Sequence, residues 1–127
     1  MQRDRGAREA AVFRFDQGLK VYLHRPAVDF RMGINGLAML VEQALGLDPF
    51  AECLYVFRNQ RRNRVKILGW ERNGFWLLLR RLEQDRFIWP DEAAVPTLSV
   101  EQLHWLLEGI DLAAVQRHPR RLYERVG

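Results

Sequence analysis

The sequence holds one cysteine, Cys53, in 127 residues. A lone thiol excludes an internal disulfide and a cysteine-rich zinc site. The three histidines, His24, His104 and His118, are too far apart to show metal-ligand spacing. Lysine is nearly absent, with Lys20 and Lys66 standing against eighteen arginines. No apolar run approaches the roughly 18 to 20 residues that cross a bilayer. Residues 1–14 are charged and lack the apolar stretch of a secretory signal. The expectation is a cytoplasmic protein without membrane attachment, its free thiol suited to reducing conditions.

What remains is ordinary for a globular chain, with 48% hydrophobic and 28% charged residues. The length suits one domain with its own core. Residues 1–15 read as a flexible N-terminal extension, 16–115 as the folded α+β domain, and 116–127 as a basic C-terminal tail. The net charge is +4. It is unevenly placed. Arg58, Arg61, Arg62, Arg64 and Lys66 put five positive charges into nine residues with no acid among them, so the rest of the chain sums to −1.

Periodicity gives the elements. Leu19 to Leu23 is β-branched and aromatic and predicts a strand, closed by Pro26. Leu37, Leu40, Val41, Ala44 and Leu45 form one helical stripe within Met32 to Leu45, with Gly46 as the stop and Asp29 as a candidate cap. Leu54 to Phe57 and Val65 to Trp70 predict two strands joined by the polar Arg58–Arg64 connection. In that hairpin, alternation sets Arg64 and Lys66 on one face and Val65 and Ile67 on the other. Phe75, Leu78, Leu79 and Leu82 follow helical spacing. A helix is therefore favoured for Phe75 to Glu83, although Trp76 and Leu77 leave a buried strand open. Arg86 to Trp89 predicts a short strand. Ser99 and Gln102 have capping-box spacing ahead of a helix that Gly109 ends. The sum is a single small α+β domain: a short mixed or antiparallel sheet, a basic hairpin and about three helices.

The hairpin is the strongest chemical feature. A two-stranded ribbon tipped with arginine suits a nucleic-acid groove, and guanidinium forks phosphate in a way that lysine cannot. A solvated turn in an arginine-rich chain is the plain alternative. Arg80 and Arg81 extend the same surface, unless Arg80 merely pairs with Glu83 on a helix. Candidate DNA-binding residues are therefore Arg58, Arg61, Arg62, Arg64, Lys66, Arg80 and Arg81. The tail arginines are a further candidate arm. Trp70, Trp76, Trp89 and Trp105 sit in apolar segments, where core packing outweighs base stacking. Catalysis has little support. Asp29, Glu42, Asp48, Glu52, Glu71 and Glu83 show no metal-nuclease spacing, and a nuclease would need carboxylates such as Asp29 and Glu71 to meet. Asp29 and Arg31 read as a turn-forming acid and its ion pair. Cys53 reads as a small buried residue and His104 as structural or exposed. No catalytic residue, metal or cofactor is expected.

A set of short motifs resembles a known family. They are Val21-Tyr22-Leu23, Asp29-Phe30-Arg31-Met32-Gly33, Gly36-Leu37 and Asp48-Pro49-Phe50. Val56-Phe57-Arg58-Asn59, Arg64-Val65-Lys66-Ile67-Leu68, Trp70 and Gly74-Phe75 continue the series, followed by Arg80-Arg81-Leu82-Glu83 and Arg86-Phe87-Ile88-Trp89-Pro90. In order and spacing, from Leu19 to Asp111, they resemble the TnpB accessory proteins of IS66-type bacterial insertion sequences. These are products of the element's second reading frame and are unrelated to the RNA-guided nucleases of the same name. The resemblance implies an accessory role in transposition beside a separate transposase. DNA at the element ends or target, the transposase and the element's other products are then the expected partners. The residues matching the family's motifs are Asp29, Arg31, Gly33, Arg58, Arg64, Lys66, Trp70, Arg81 and Trp89. Asp85 departs from the pattern, standing where the family usually has glycine. A protein–protein adaptor that stabilises the transposase complex is the rival reading.

Overall fold

In the computed structural model, residues 15–90 and 97–117 are described. Five strands form one mixed sheet. They are β1 (Lys20–Leu23), β2 (Cys53–Arg58), β3 (Arg64–Glu71), β4 (Gly74–Arg81) and β5 (Thr97–Leu98), in the order β4-β3-β2-β1-β5. β1 runs parallel to β2, and the other neighbours are antiparallel. Parallel neighbours need a long crossover. Here it is α1 (Ile34–Leu40), which continues as a π turn over Val41–Leu45 and stops at Gly46 in a left-handed conformation. α2 (Val100–Leu107) and α3 (Leu112–Arg117) complete the described elements. The expected single α+β domain with a mixed sheet and three helices is what forms.

The helices lie on both faces of the sheet, and strand alternation assigns side chains between them. Cys53, Tyr55, Phe57 and Leu68 join Leu37 of α1 and Val41 of the π turn in one buried cluster. Leu54, Val56, Val65 and Ile67 point the other way, to Leu103 and Leu106 of α2 and Leu112 of α3. β2 is central and covered on both faces, which is why Cys-Leu-Tyr-Val-Phe is apolar without a break. Cys53 is the buried residue expected; its Sγ lies 3.1 Å from the Tyr55 hydroxyl. That hydroxyl donates to the Asp48 carbonyl at 2.7 Å, and burial pushes its pKa up.

Four local expectations need correction. Phe75 to Glu83 is not a helix: Gly74–Arg81 is strand β4, paired with β3 over eight positions. Because Phe75 and Leu77 meet the α1 cluster while Leu78 meets the α2 cluster, apolar residues fall on both faces and imitate a helical stripe. Arg86 to Trp89 makes no ladder. Instead Phe87 is buried in the α2-side core, and its N–H donates to the Arg62 carbonyl at 2.7 Å. Asp29 does not cap α1, whose N-cap is Gly33 without a side-chain bond. Asp29 closes on Arg31 instead. Arg80 does not pair with Glu83; Arg81 does, at 2.9 Å. The Ser99–Gln102 capping box forms as expected, with bonds of 2.9 and 3.1 Å, and Gly109 at φ 86 follows the helix. The N-terminal extension and the tail beyond Arg117 lie outside the described residues.

Candidate nucleic-acid interface

One end of the sheet gathers the arginines. The register sets Leu23 beside Val56, Arg58 beside Val65 and Arg64 beside Arg81, so β1, β2 and β4 end where β3 begins. The β2–β3 turn projects from this end. Asn59 fixes it: its Oδ1 accepts the Asn63 and Arg64 N–H groups at 3.1 and 3.0 Å, and its Nδ2 donates to Asn63 Oδ1 at 2.7 Å. Asparagine suits this position because its short amide reaches the backbone of its own loop. Arg62 takes a left-handed φ of 62, which tightens the turn at a steric cost. From the side, the chain after β4 braces the tip. Leu82 N–H donates to the Asn63 carbonyl, and Phe87 N–H to the Arg62 carbonyl. Asp85, at φ 68, is the left-handed residue that lets this brace turn.

The seven candidate residues divide by what they touch. Arg61, Arg62 and Arg64 are exposed, and no carboxylate among the described residues lies within ion-pair distance of them. Arg58 is half-buried, with Nε donating to the Arg25 carbonyl at 3.1 Å. Desolvation and then the Arg62 charge lower its pKa, a shift that still leaves a guanidinium charged. Lys66 lies on the face opposite Val65 and Ile67, as alternation sets it, but it is half-buried there, and its Nζ donates to the Phe30 and Met32 carbonyls at 2.8 Å each. The same ammonium lies 4.8 Å from the Phe30 ring centre. It therefore ties the loop before α1 to the sheet. Arg80 projects to the opposite face. Its Nε donates to the Leu107 carbonyl at 2.8 Å, and Glu108 lies 3.8 Å away, so it serves the C-terminal end of α2. Arg81 remains at the basic end but holds Glu83.

Asp29 and Arg31 form the turn and ion pair the sequence suggested. Asp29 accepts the Arg31 backbone N–H at 2.9 Å and its guanidinium at 2.6 to 3.1 Å. These bonds hold the Asp29 carboxyl down to about 2. The nuclease arrangement does not assemble. Asp29 feels the charge of Lys66, while Glu71 stands five residues further along β3, about 17 Å at strand spacing. Among the described residues no three His, Cys, Asp or Glu side chains gather as metal ligands. At the other end of the sheet three carboxylates, Asp16, Glu52 and Glu71, join Trp70 and Trp76 around a cavity of about 350 Å³, with Lys20 and Arg72 at the same end. The exposed arginines Arg61, Arg62 and Arg64 thus stand at the end of the sheet away from this cavity.

None of the tryptophans is fully buried. Trp70, Trp89 and Trp105 are half-buried, with Trp89 and Trp105 against the α2-side core, and Trp76 is 45% exposed. Sequence reasoning missed His24, a buried imidazole whose Nδ1 lies 2.9 Å from the Pro26 carbonyl. It also missed the role of Asn59, which showed only as a polar residue of the connection and the last residue of the Val56-Phe57-Arg58-Asn59 motif. Among the described residues no helix is long and apolar enough to cross a membrane.

Comparison with known proteins supplies a family. A family model described as "IS66 Orf2 like protein" matches residues 19–117. Two relatives come from Sinorhizobium fredii (strain NBRC 101917 / NGR234). "Uncharacterized protein y4jC" is 36% identical over 104 residues, 81% of this chain and 89% of the relative. "Uncharacterized protein y4hO" is 33% identical over 108 residues, 84% of this chain and 90% of the relative. No solved structure matches the chain. The family suggests an accessory role in transposition, and neither its description nor the relatives' names indicate a catalytic activity. With a match across most of its length and across every strand of its sheet, the chain belongs to the family of IS66 Orf2 like proteins.

Proposed function

We propose that this protein is a DNA-binding accessory factor of transposition that contacts the element's ends or its target through the β2–β3 turn. One observation carries the reading. Arg61, Arg62 and Arg64 stand exposed and free of carboxylate neighbours among the described residues, on a turn locked by Asn59 and braced by Phe87. A pre-set loop loses little freedom on binding, so its charges act at full effect. Arg81 adds to the surface when Glu83 releases it. Arg58, Lys66 and Arg80 support the fold and do not face the DNA. Three to four phosphate contacts give a salt slope of about −3 to −4.

A gel-shift titration on element ends at several salt concentrations tests this. The expected result is binding that weakens along that slope and is lost with Arg61→Ala, Arg62→Ala and Arg64→Ala together. Absent binding, binding indifferent to salt, or a triple variant that binds like the parent overturns it. The adaptor reading gains if the transposase co-purifies with a variant whose charge is reversed at Arg61 and Arg62.

A further inference from the structure

Among the described residues β4 ends the sheet, and no strand pairs with its outer side. The bond from Leu82 N–H to the Asn63 carbonyl fixes the alternation. Backbone groups of residues 76, 78 and 80 point at β3, and those of residues 75, 77, 79 and 81 point outward. This outward row is regular, since β4 pairs with β3 at eight consecutive positions without a bulge. It contains no proline, and Gly74 to Leu79 carries no charge. Edge strands are normally blunted by such devices, and an unblunted apolar edge is a template for another strand. Leu79 is 61% exposed beside it.

We propose that β4 pairs antiparallel with β4 of a second copy, Leu77 opposite Leu77, joining two five-stranded sheets into one. The open row of donors and acceptors calls for an extended strand, and β4 is complementary to itself. In this register Phe75 faces Leu79 of the second copy and Trp76 faces Leu78, each pair on one face of the sheet. Arg80 falls opposite Gly74 and Arg81 opposite Asn73, so no two arginines meet and Arg80 keeps its hold on the Leu107 carbonyl. The two-fold axis makes each contact occur twice. About six backbone hydrogen bonds close the seam.

The axis also reverses one copy, so the two arginine turns lie at opposite ends of the joined sheet. At about 3.4 Å per residue and 4.8 Å per strand they are about 40 Å apart and point away from each other. On the DNA reading, on which this consequence rests, the dimer holds two separate duplexes.

Sedimentation equilibrium of the full chain tests the pairing. The expected species has twice the 15.0 kDa of one chain. Leu79→Pro removes an outward N–H and spares the β3 ladder, so a monomer is expected. Leu79→Lys, which keeps every backbone donor, is expected to weaken association at least tenfold, and it carries the test if the proline variant fails to fold. A parent that stays monomeric at micromolar concentrations, or a dimer unchanged in both variants, overturns the proposal. Capture of a labelled duplex by an immobilised one tests bridging. It is expected with the parent and lost with Leu79→Lys, while single-duplex gel shifts persist. The triple arginine variant is expected to lose DNA and keep the dimer; loss of the dimer there overturns the β4 seam, whereas a parent that never binds DNA refutes only the DNA reading.

Discussion

Lys66 separates the charges that hold the fold from those that face solvent. Lys66→Met keeps the aliphatic stem and removes the ammonium. Two bonds of 2.8 Å, to the Phe30 and Met32 carbonyls, are lost with it, together with the contact 4.8 Å from the Phe30 ring. A hydrogen bond to a charged group contributes about 1.5–3 kcal/mol. Lys66 is half-buried, so water recovers part of this at both carbonyls, and the expected loss is about 2–3 kcal/mol. For a domain of this size that lowers Tm by about 10 °C. Arg61→Ala should do the reverse: stability within about 0.5 kcal/mol of the parent, and a DNA salt slope shallower by about 0.9. Urea unfolding followed by tryptophan fluorescence reads the first quantity, and gel shifts across salt read the second. Lys66 does not tie the loop to the sheet if Lys66→Met unfolds with the parent, and it faces the DNA if Lys66→Met flattens the salt slope by a full contact while remaining folded.

Asp85→Gly should stabilise the protein by up to about 1 kcal/mol, because glycine reaches φ 68 without steric cost; a lower urea midpoint would contradict this. His24 should give a pH dependence. Desolvation first, and the Arg58 charge as well, lower its pKa below 6.5 against the raising effect of the Pro26 carbonyl, so the unfolded chain takes up the proton first. Its contribution is whole above pH 6.5 and is lost as pH falls toward the folded pKa. The urea midpoint should therefore drop between pH 7.5 and 5.5 in the parent and drop less in His24→Gln. The Asp29 carboxyl should titrate by NMR at about 2 and return toward 3.8 in Arg31→Ala. Its pairing is present above 3.8 and is lost as pH falls through about 2; a parent midpoint at 3.8 would show that the pair does not form in solution.

The sequence made legible whatever depended on near neighbours. β1, β2, β3 and the Ser99 capping box follow from short patterns in which side chain and backbone answer each other locally. β4 was not legible, because its character depends on α1 covering one face and α2 the other. The two-residue β5 has no pattern to find. The basic hairpin was visible as charge. Its division was not: Lys66 and Arg80 turn to carbonyls 34 or 36 and 27 residues away, partners that no local spacing announces. The gathering of Arg58, Arg64 and Arg81 at one end of the sheet likewise appears only in the strand register.

The mixed sheet also sets an order of assembly. β2, β3 and β4 are joined by short turns, and such hairpins close in microseconds. β1 has no such neighbour: it waits for the α1 crossover to reach β2, and its other partner, β5, sets Val21 against Leu98 at the far end of the chain. Closing that long span carries the larger entropy cost. On a ribosome β1 emerges first and is paired last. The Asn59 turn is complete within the early hairpins, so the arginines take their positions before β1 and β5 arrive. Backbone amides of β1 should consequently exchange with solvent during refolding after those of β2 and β3 are already protected.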